Sequence, residues 1–290
     1  MLPVLFSWGP IALYSYSVVW FLAMLVGGFA IWRRARDLHF EEEALFDALL
    51  IILGWMLVGA RLGQIWVHWP EYSFEPLKYI DLLGRPGFWF EGGLIAGIIA
   101  ALIQAKQRRW EKYTLGDVLI PGLVIAQAIL AFGAFLNGSG AGWASESFWG
   151  LRFVGMYDKR LPVQLVEMVA FGGLYAWLWW AEGAYRTFGW YKGSKSEANS
   201  GFVTAGYFIG YGLIELVVSC LRPARVSVAG WRLDYLINLA IMAFGIWLMI
   251  RRSEMNYLKV WRSRQTNQKT RMNRRPGFTK PLKLGDDIFG

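Results

Sequence analysis

Charged side chains lie inside several long apolar stretches of this 290-residue sequence, where burying their charge is costly. Glu91 and Glu167 each lie near the start of an apolar run, and Glu215 and Arg222 stand seven residues apart near the end of another. A carboxylate in such surroundings can accept a proton, and a fixed guanidinium can hold an anionic oxygen. These residue types therefore indicate acid–base chemistry or anion binding within an apolar environment.

Helical spacing gathers the polar residues of one run into a single stripe. Steps of three or four place Tyr207, Tyr211, Glu215, Ser219 and Arg222 on one side of a helix. With the run crossing a membrane outward, Arg222 would lie near the external headgroups. We interpret this stripe as the lining of a substrate-binding cavity, with Tyr211, Glu215 and Arg222 as binding residues.

Two other stripes admit both a functional and a structural interpretation. Gln164 and Glu167 share a helix face, and Glu167 is interpreted either as a catalytic group or as a hydrogen bond between helices. Asp47, Gly54, Arg61 and His68 recur at every seventh residue. Gly54 suits a packing contact, and Asp47 and His68 suit side chains that reach water from the helix ends. Arg61 lies deeper, and we assign it to substrate binding.

The elements that must position these residues are membrane helices. Hydrophobic residues make up 56% of the sequence, and there are 17 Trp. The apolar runs have about the 20 residues that cross a bilayer. They predict an all-α integral membrane protein with seven transmembrane helices, at about 11–31, 44–66, 88–105, 115–137, 161–181, 201–221 and 232–250.

Basic residues predict the orientation of these helices. Alternate loops are rich in Lys and Arg, and eleven more basic residues follow from position 251 onward. By the positive-inside rule the N-terminus is outside and the C-terminus is cytoplasmic. We predict a transmembrane domain over 1–250 with an external aromatic arm at 138–160, and a basic, flexible cytoplasmic tail over 251–290.

Several function classes are disfavoured by the composition. The net charge of +9 is explained by topology, so no nucleic-acid partner is predicted. The sequence has two His and one Cys, too few for a His/Cys zinc site, and it lacks a phosphate-binding loop and a dinucleotide fingerprint. We predict no metal and no cofactor. A small transporter is also disfavoured, because no inverted hydropathy repeat is visible.

Six motifs in order resemble a known family. They are "GPIALYSYS" at the first helix, "VGARLGQ" at 58–64, "FEGG" at 90–93, "FLNG" at 135–138, "LPVQLVE" at 161–167 and "SGFVTAGYFIGYGLIELVVSCLR" at 200–222. Together they resemble bacterial prolipoprotein diacylglyceryl transferases. The resemblance implies a multi-pass protein of the bacterial plasma membrane that acts in lipoprotein biosynthesis. It would transfer diacylglyceryl from phosphatidylglycerol to the lipobox cysteine of a preprolipoprotein.

The chain departs from the family pattern at several positions that carry chemistry. Glu91 stands where the family has His, and Glu215 stands where it has Arg. The remaining replacements are Trp20 for Tyr, Ala131 for Arg, Ala134 for Asn, Ser139 for an acidic residue and Ser219 for Glu. Asn137, Gln164, Glu167, Tyr211 and Arg222 match the pattern.

Two hypotheses follow from the resemblance and its departures. The first is an active diacylglyceryl transferase with Glu91 and Glu167 as catalytic residues. Its substrate-binding residues would be Arg61, Asn137, Gln164, Tyr211, Glu215 and Arg222. The second is a non-catalytic relative that binds a lipid or a membrane-protein partner in the same cavity. For Glu91 a structural alternative also stands, an ion pair to Arg61 that joins two helices.

Overall fold

The computed structural model describes residues 4–8, 11–72, 75–81, 87–185, 200–224, 227–228 and 231–253. The described helices are α1 (Ser15–Asp37), α2 (Glu42–Val67), α3 (Trp69–Tyr72), α4 (Pro76–Ile80), α5 (Phe90–Gln107), α6 (Lys112–Asn137), α7 (Val163–Tyr185), α8 (Phe202–Leu221) and α9 (Leu233–Arg252). The described strands form antiparallel pairs: β1 (Val4–Trp8) with β2 (Ile11–Tyr14), β3 (Leu151–Arg152) with β4 (Lys159–Arg160), and β5 (Ser227–Val228) with β6 (Trp231–Arg232).

The long helices overlap the predicted apolar runs one by one. Five of them are long and apolar enough to cross a membrane: α1, α2, α6, α8 and α9. The other two long helices are α5 (Phe90–Gln107), which contains Glu91, Gln104, Lys106 and Gln107, and α7 (Val163–Tyr185), which contains Gln164, Glu167 and Glu182. The protein is therefore mostly helical, with five candidate membrane spans among the described residues.

The predicted start of the first helix is wrong. The apolar run was expected to be helical from residue 11, but Ile11–Tyr14 form strand β2 and the helix begins at Ser15. Strand β2 pairs with β1, with Phe6 opposite Leu13. A short apolar run does not by itself distinguish a strand from a helix, because both can bury the same side chains.

A seam of glycines brings α2 and α5 into close contact. A Cβ atom added to Gly59 would lie 2.7 Å from the carbonyl oxygen of Gly92, and one added to Gly92 would lie 2.7 Å from the carbonyl oxygen of Gly59. Side chains at either position would therefore force the two backbones apart. The "VGARLGQ" and "FEGG" motifs thus set the spacing of these helices, with Glu91 directly before the seam.

Helix α6 lies at the centre of the fold and contacts α1, α5, α7 and α8. The main hydrophobic core is formed by residues of α5, α6, α7 and α8, among them Leu94, Val124, Leu174, Tyr207 and Tyr211. Helix α9 packs along α8, where Gly212 of α8 faces the backbone of Asn238 and Met242. The last two long helices thus form a hairpin, and Arg222 lies directly after α8, where the connection to α9 begins.

The segment that follows α6 carries exposed aromatic side chains. Phe148, Trp149 and Tyr157 are strongly exposed, which suits the predicted arm at the headgroup level, whereas Phe153 is buried against Phe135. The predicted flexible tail from 254 onward lies outside the described residues. So do five basic loop residues used for the orientation: Arg85, Arg186, Lys192, Lys195 and Arg225.

Candidate functional site

Arg222 joins two buried carboxylates at the end of α8. Its side chain is only 4% exposed, Nη1 donates to Oε1 of Glu167 on α7, and Nη2 donates to Oε2 of Glu215 on α8. Two helical turns separate Glu215 from Arg222, so both side chains reach the same side of α8. Taking these charges out of water is costly, and the cluster is stable only because the partners are in direct contact. We name Arg222, Glu167 and Glu215 the arginine cluster.

Glu91 enters the same region from the first turn of α5. Its side chain is buried, and its Oε1 accepts a hydrogen bond from the Tyr211 hydroxyl at 3.4 Å. An acidic side chain in the first turn is favoured by the partial positive charge of the helix N-terminus. The Tyr211 ring packs between Phe90, at 5.7 Å, and Phe171, at 6.0 Å between ring centroids. These aromatic contacts fix the hydroxyl that faces Glu91.

A cleft connects Glu91 with the arginine cluster. It is narrow and partly open to the surroundings of the protein, and its lining includes Glu91, Glu215, Ser219, Arg222, Asp234 and Asn238. We name it the outer cleft. Its polar lining comes from α5, α8 and α9 and from the Arg222 position that follows α8. The side chains offer carboxylate oxygens, an amide and a hydroxyl within one small volume. They suit proton transfer and the binding of a hydroxyl-bearing headgroup.

Helix α9 contributes residues that the sequence analysis did not assign to the site. The Asn238 Nδ2 group donates to the Ser219 hydroxyl at 3.2 Å, and Arg232 donates to the carbonyl oxygens of Ser219 and Arg222 at 2.6 and 3.1 Å. Asp234 lies 3.7 Å from Arg232 and is itself buried. The signal available in the sequence was the four-residue spacing of Asp234 and Asn238 within an apolar run.

Gln164 and Asn137 occupy a different place from the arginine cluster. Gln164 is buried, but its Nε2 group donates to the carbonyl oxygen of Ser139 at 2.7 Å. It therefore ties the start of α7 to the segment that follows α6. Asn137, the last residue of α6, is exposed. The structure thus brings Glu91, Glu167, Tyr211, Glu215 and Arg222 together, and the hydrogen bond of Gln164 described here goes to Ser139 instead of to this group.

Arg61 contacts backbone carbonyls of the segment between α2 and α5. Its Nε donates to Tyr79 at 2.9 Å, and its other guanidinium nitrogens donate to Lys78, Asp81 and Gly87 at 3.4, 2.9 and 3.2 Å. The guanidinium also lies 5.4 Å from the centroid of the Tyr72 ring. Among the described residues no ion pair within 4 Å joins Arg61 to Glu91, so these contacts do not support the proposed link between the two helices.

Asp47 and His68, the other two ionisable members of the seven-residue stripe, make contacts near the ends of α2. Asp47 lies 3.6 Å from Arg108, and the His68 ring lies 3.3 Å from the Gln64 carbonyl oxygen. Both contacts fit the structural interpretation. Across the described residues, no group of three His, Cys, Asp or Glu side chains is placed to hold a metal ion.

Comparison with known proteins gives a consistent result over nearly the whole chain. The family model described as "Prolipoprotein diacylglyceryl transferase" matches residues 3–251. A protein of Parasynechococcus marenigrum named phosphatidylglycerol–prolipoprotein diacylglyceryl transferase is 26% identical over 266 residues, which covers 87% of this chain and 95% of that protein. Proteins with the same name from Finegoldia magna and Bordetella avium are 25% and 28% identical; the alignments cover 86% and 76% of this chain, and 94% and 81% of those proteins.

Proposed function

The chain belongs to the prolipoprotein diacylglyceryl transferase family, and on that basis we propose that it transfers diacylglyceryl from a phosphatidylglycerol-like phospholipid to a lipobox cysteine. The observation that carries the proposal is the convergence of Glu91, Glu167, Tyr211, Glu215 and Arg222 from α5, α7 and α8 on one outer region. Three of these five side chains, Glu91, Glu215 and Arg222, line the outer cleft, and Glu167 contacts Arg222. The family match indicates which reaction is catalysed, and the outer cleft is where we propose that it takes place.

The membrane arrangement that we propose has seven spans, with the N-terminus outside and the C-terminus in the cytoplasm of a bacterial inner membrane. Its support is the distribution of basic residues: Arg33, Arg34 and Arg36 end α1, Arg108 and Arg109 follow α5, and Arg251 and Arg252 end α9. Arg222 and the outer cleft then lie at the external end. We keep 1–250 as the transmembrane domain and 251–290 as a cytoplasmic tail.

Labelling from outside tests this orientation. In a Cys220→Ser background, a membrane-impermeant maleimide should modify Trp143→Cys in the exposed arm and leave Arg109→Cys unmodified in intact cells. Arg109 is a suitable inner reporter because it lies in the short turn between α5 and α6. Labelling of Arg109→Cys with protection of Trp143→Cys would reverse the orientation.

In the proposed reaction a sulfur–carbon bond forms and a carbon–oxygen bond breaks. Glu91 accepts the proton of the lipobox thiol, and the thiolate attacks the diacylglyceryl carbon that bears the phosphate ester oxygen. The bonding electrons leave with that oxygen, so glycerol phosphate is released. Tyr211 orients Glu91 through its hydrogen bond, and Arg222 donates to the phosphate.

The arginine cluster also constrains how an anionic headgroup could be bound. Two carboxylates and one guanidinium carry one net negative charge when both carboxylates are ionised. A net negative charge opposes the binding of an anionic phosphate at Arg222. We propose that Glu167 keeps Arg222 in position.

One observation favours the non-catalytic alternative. Both Nη groups of Arg222 already donate to carboxylates, and Glu215 and Ala131 replace family arginines. An outer cleft with fewer available cations would bind a lipid or a membrane-protein segment without stabilising a leaving phosphate.

The deciding experiment is transfer from phosphatidylglycerol to a lipobox peptide by the purified full chain, with complementation of a transferase-depleted bacterium alongside. Glu91→Gln keeps the size of the side chain but removes the proton acceptor, and it should lower transfer by roughly 100-fold at unchanged folding. Glu71→Gln, at an exposed glutamate of α3, is the matched control and should retain full activity. Full activity in Glu91→Gln would eliminate the base role. No transfer by the unaltered chain would favour the non-catalytic alternative.

A further inference from the structure

A second cleft lies at the opposite end of the helices from Arg222. It contains about 670 Å³ of empty space, part of which is open to the surroundings of the protein. We name it the inner cleft. Its lining comes from the end of α1, the first half of α6, the end of α7 and the start of α8, and includes Arg33, Arg34, Asp37, Pro121, Trp179 and Glu182.

The inner cleft has an apolar floor and a charged rim. Ala30, Pro121, Leu178 and Val203 form the floor, and the charged side chains belong to the last turns of α1 and α7. Trp179, beside the floor, is 74% exposed on a helix that we place in the bilayer. An occupant would therefore enter sideways from the lipid. Its apolar part would lie on the floor and its polar part at the rim.

Of the four charged side chains at the rim, two form an ion pair with each other and two do not. Arg34 forms an ion pair with Glu182, which joins α1 to α7 across the inner cleft. Arg33 and Asp37 are both exposed, and neither has an oppositely charged side chain within 4 Å among the described residues. They stand four residues apart on α1, a spacing that puts their Cβ atoms about 5–6 Å apart.

We propose that the inner cleft binds an inner-leaflet phospholipid whose headgroup carries both a phosphate and a primary ammonium group. The phosphate accepts hydrogen bonds from Arg33, the ammonium donates to Asp37, and an acyl chain covers the apolar floor. A zwitterionic headgroup of this kind matches one cation and one anion one turn apart, whereas a purely anionic headgroup would meet Asp37 unfavourably. The inference rests on the proposed membrane placement but not on the transfer reaction.

Native mass spectrometry of the full chain, released from nanodiscs that contain equal amounts of phosphatidylethanolamine and phosphatidylglycerol, tests the proposal. The unaltered chain should retain phosphatidylethanolamine roughly tenfold more than Asp37→Asn does, because a charge-assisted hydrogen bond is lost. Retention of phosphatidylglycerol should not fall in Asp37→Asn. When the retention of the same lipid is compared between two variants, the lipid bound elsewhere on the protein contributes equally to both.

Arg33→Gln and Arg36→Gln form a matched pair that separates the cleft from the general basic surface. Both remove one arginine from the same turn of α1, but Arg36 lies over the Trp32 ring and does not line the inner cleft. Arg33→Gln should lower retention of phosphatidylethanolamine roughly tenfold, and Arg36→Gln should leave it unchanged. Neither variant breaks the Arg34–Glu182 pair, so the fold is preserved.

Three results would overturn the proposal. They are equal losses in Arg33→Gln and Arg36→Gln, a lipid preference that Asp37→Asn does not change, and a preference for phosphatidylglycerol at the inner cleft. Transfer activity, measured on the same preparations, is independent of these outcomes. A chain that selects phosphatidylethanolamine but transfers no diacylglyceryl would refute the proposed function and leave the inner cleft in place.

Discussion

Buried carboxylates lie at both ends of α8, but their hydrogen-bond partners differ. At the start of α8, which is its inner end in the proposed orientation, Asp117 of α6 accepts hydrogen bonds from the backbone amides of Gly201 and Thr204, at 2.6 and 2.9 Å, and from the Thr204 hydroxyl at 2.7 Å. At the outer end Glu167 and Glu215 share Arg222 and border the outer cleft. Asp117 thus caps a helix start, whereas the outer carboxylates contact a charged side chain.

This difference shows that burial alone does not identify a reactive carboxylate. The donors of Asp117 are fixed by the first turn of α8, and a helix start needs such an acceptor for its free amide groups. The outer carboxylates have a side-chain partner that can be shared with a ligand, next to empty space. We therefore expect substitutions at the inner end to alter stability alone, and substitutions at the outer end to alter stability and activity together.

The largest effect is expected for Arg222→Gln. It leaves Glu167 and Glu215 buried without their cation, which should cost about 3–5 kcal/mol of unfolding free energy and abolish transfer. Thermal unfolding in detergent and the transfer assay measure the two effects. Arg152→Gln, at an exposed arginine of the arm, is the control and should change neither. An Arg222→Gln protein as stable as the wild type would contradict the difference that we expect between the two ends of α8.

A smaller and purely structural effect is expected for Asp117→Ala. It deprives the start of α8 of three hydrogen bonds and should cost about 2 kcal/mol, with the activity of the folded fraction unchanged. Asp117→Asn keeps one acceptor oxygen and should be milder. Denaturant titration with activity normalised to folded protein distinguishes the outcomes. A stable Asp117→Ala protein without activity would give Asp117 a functional role.

Helix spacing at the outer cleft is tested by Gly212→Ala. An added methyl group would lie 2.7 Å from the Asn238 carbonyl oxygen, so α9 must move away from α8. We expect a cost of about 1–2 kcal/mol and several-fold lower transfer, because Asn238 loses its position beside Ser219. Gly172→Ala on α7 is the matched control, since a Cβ there meets no other atom within 4 Å. Equal effects of the two substitutions would refute a role for the α8–α9 contact.

The smallest effect is expected for Glu111→Gln beside the start of α6. Burial raises the pKa of Glu111, but hydrogen bonds from Thr114 and Ser200 lower it more, so the net pKa is below the ordinary value of 4.5. The stabilisation is therefore present above about pH 4.5 and is lost as the pH falls through the lowered pKa. Because the side chain is exposed, the cost should be no more than about 0.5 kcal/mol at pH 7. Melting curves at pH 7 and pH 3.5 should show a difference from wild type at pH 7 that narrows at pH 3.5.

The sequence predicted contacts within a helix better than contacts between helices. The stripe Tyr207, Tyr211, Glu215, Ser219 and Arg222 is buried on one side of α8, because helical periodicity alone determines which residues share a face. Gln164 and Glu167 were predicted to share a face of α7, and both side chains are buried. The family match confirms the resemblance that the motifs indicated.

Relations between helices could not be read from periodicity. The glycine seam places α2 so that Arg61 reaches the carbonyl groups of Lys78, Tyr79 and Asp81, and the spacing along α2 contains no information about that crossing. Asp234 was missed because it stands next to Arg232 at the start of a helix, where a charged residue is expected to be solvated. The assignments of Glu91 and Glu167 to catalysis remain predictions. So do the assignments to substrate binding of Arg61, Asn137, Gln164, Tyr211, Glu215 and Arg222.

The order in which the ribosome makes the chain gives the arginine cluster a further consequence. Glu167 is translated 55 residues before Arg222, and Glu91 precedes Tyr211 by 120 residues. At a translation rate of about 5–20 residues per second, roughly 3–11 s pass between the synthesis of Glu167 and that of Arg222. During that interval an acidic side chain must either stay near the aqueous side of the insertion machinery or enter the bilayer protonated. The insertion of the α8–α9 hairpin is thus the step that pairs these carboxylates with their cation. Products that end before Arg222 would contain Glu167 and Glu215 without that partner.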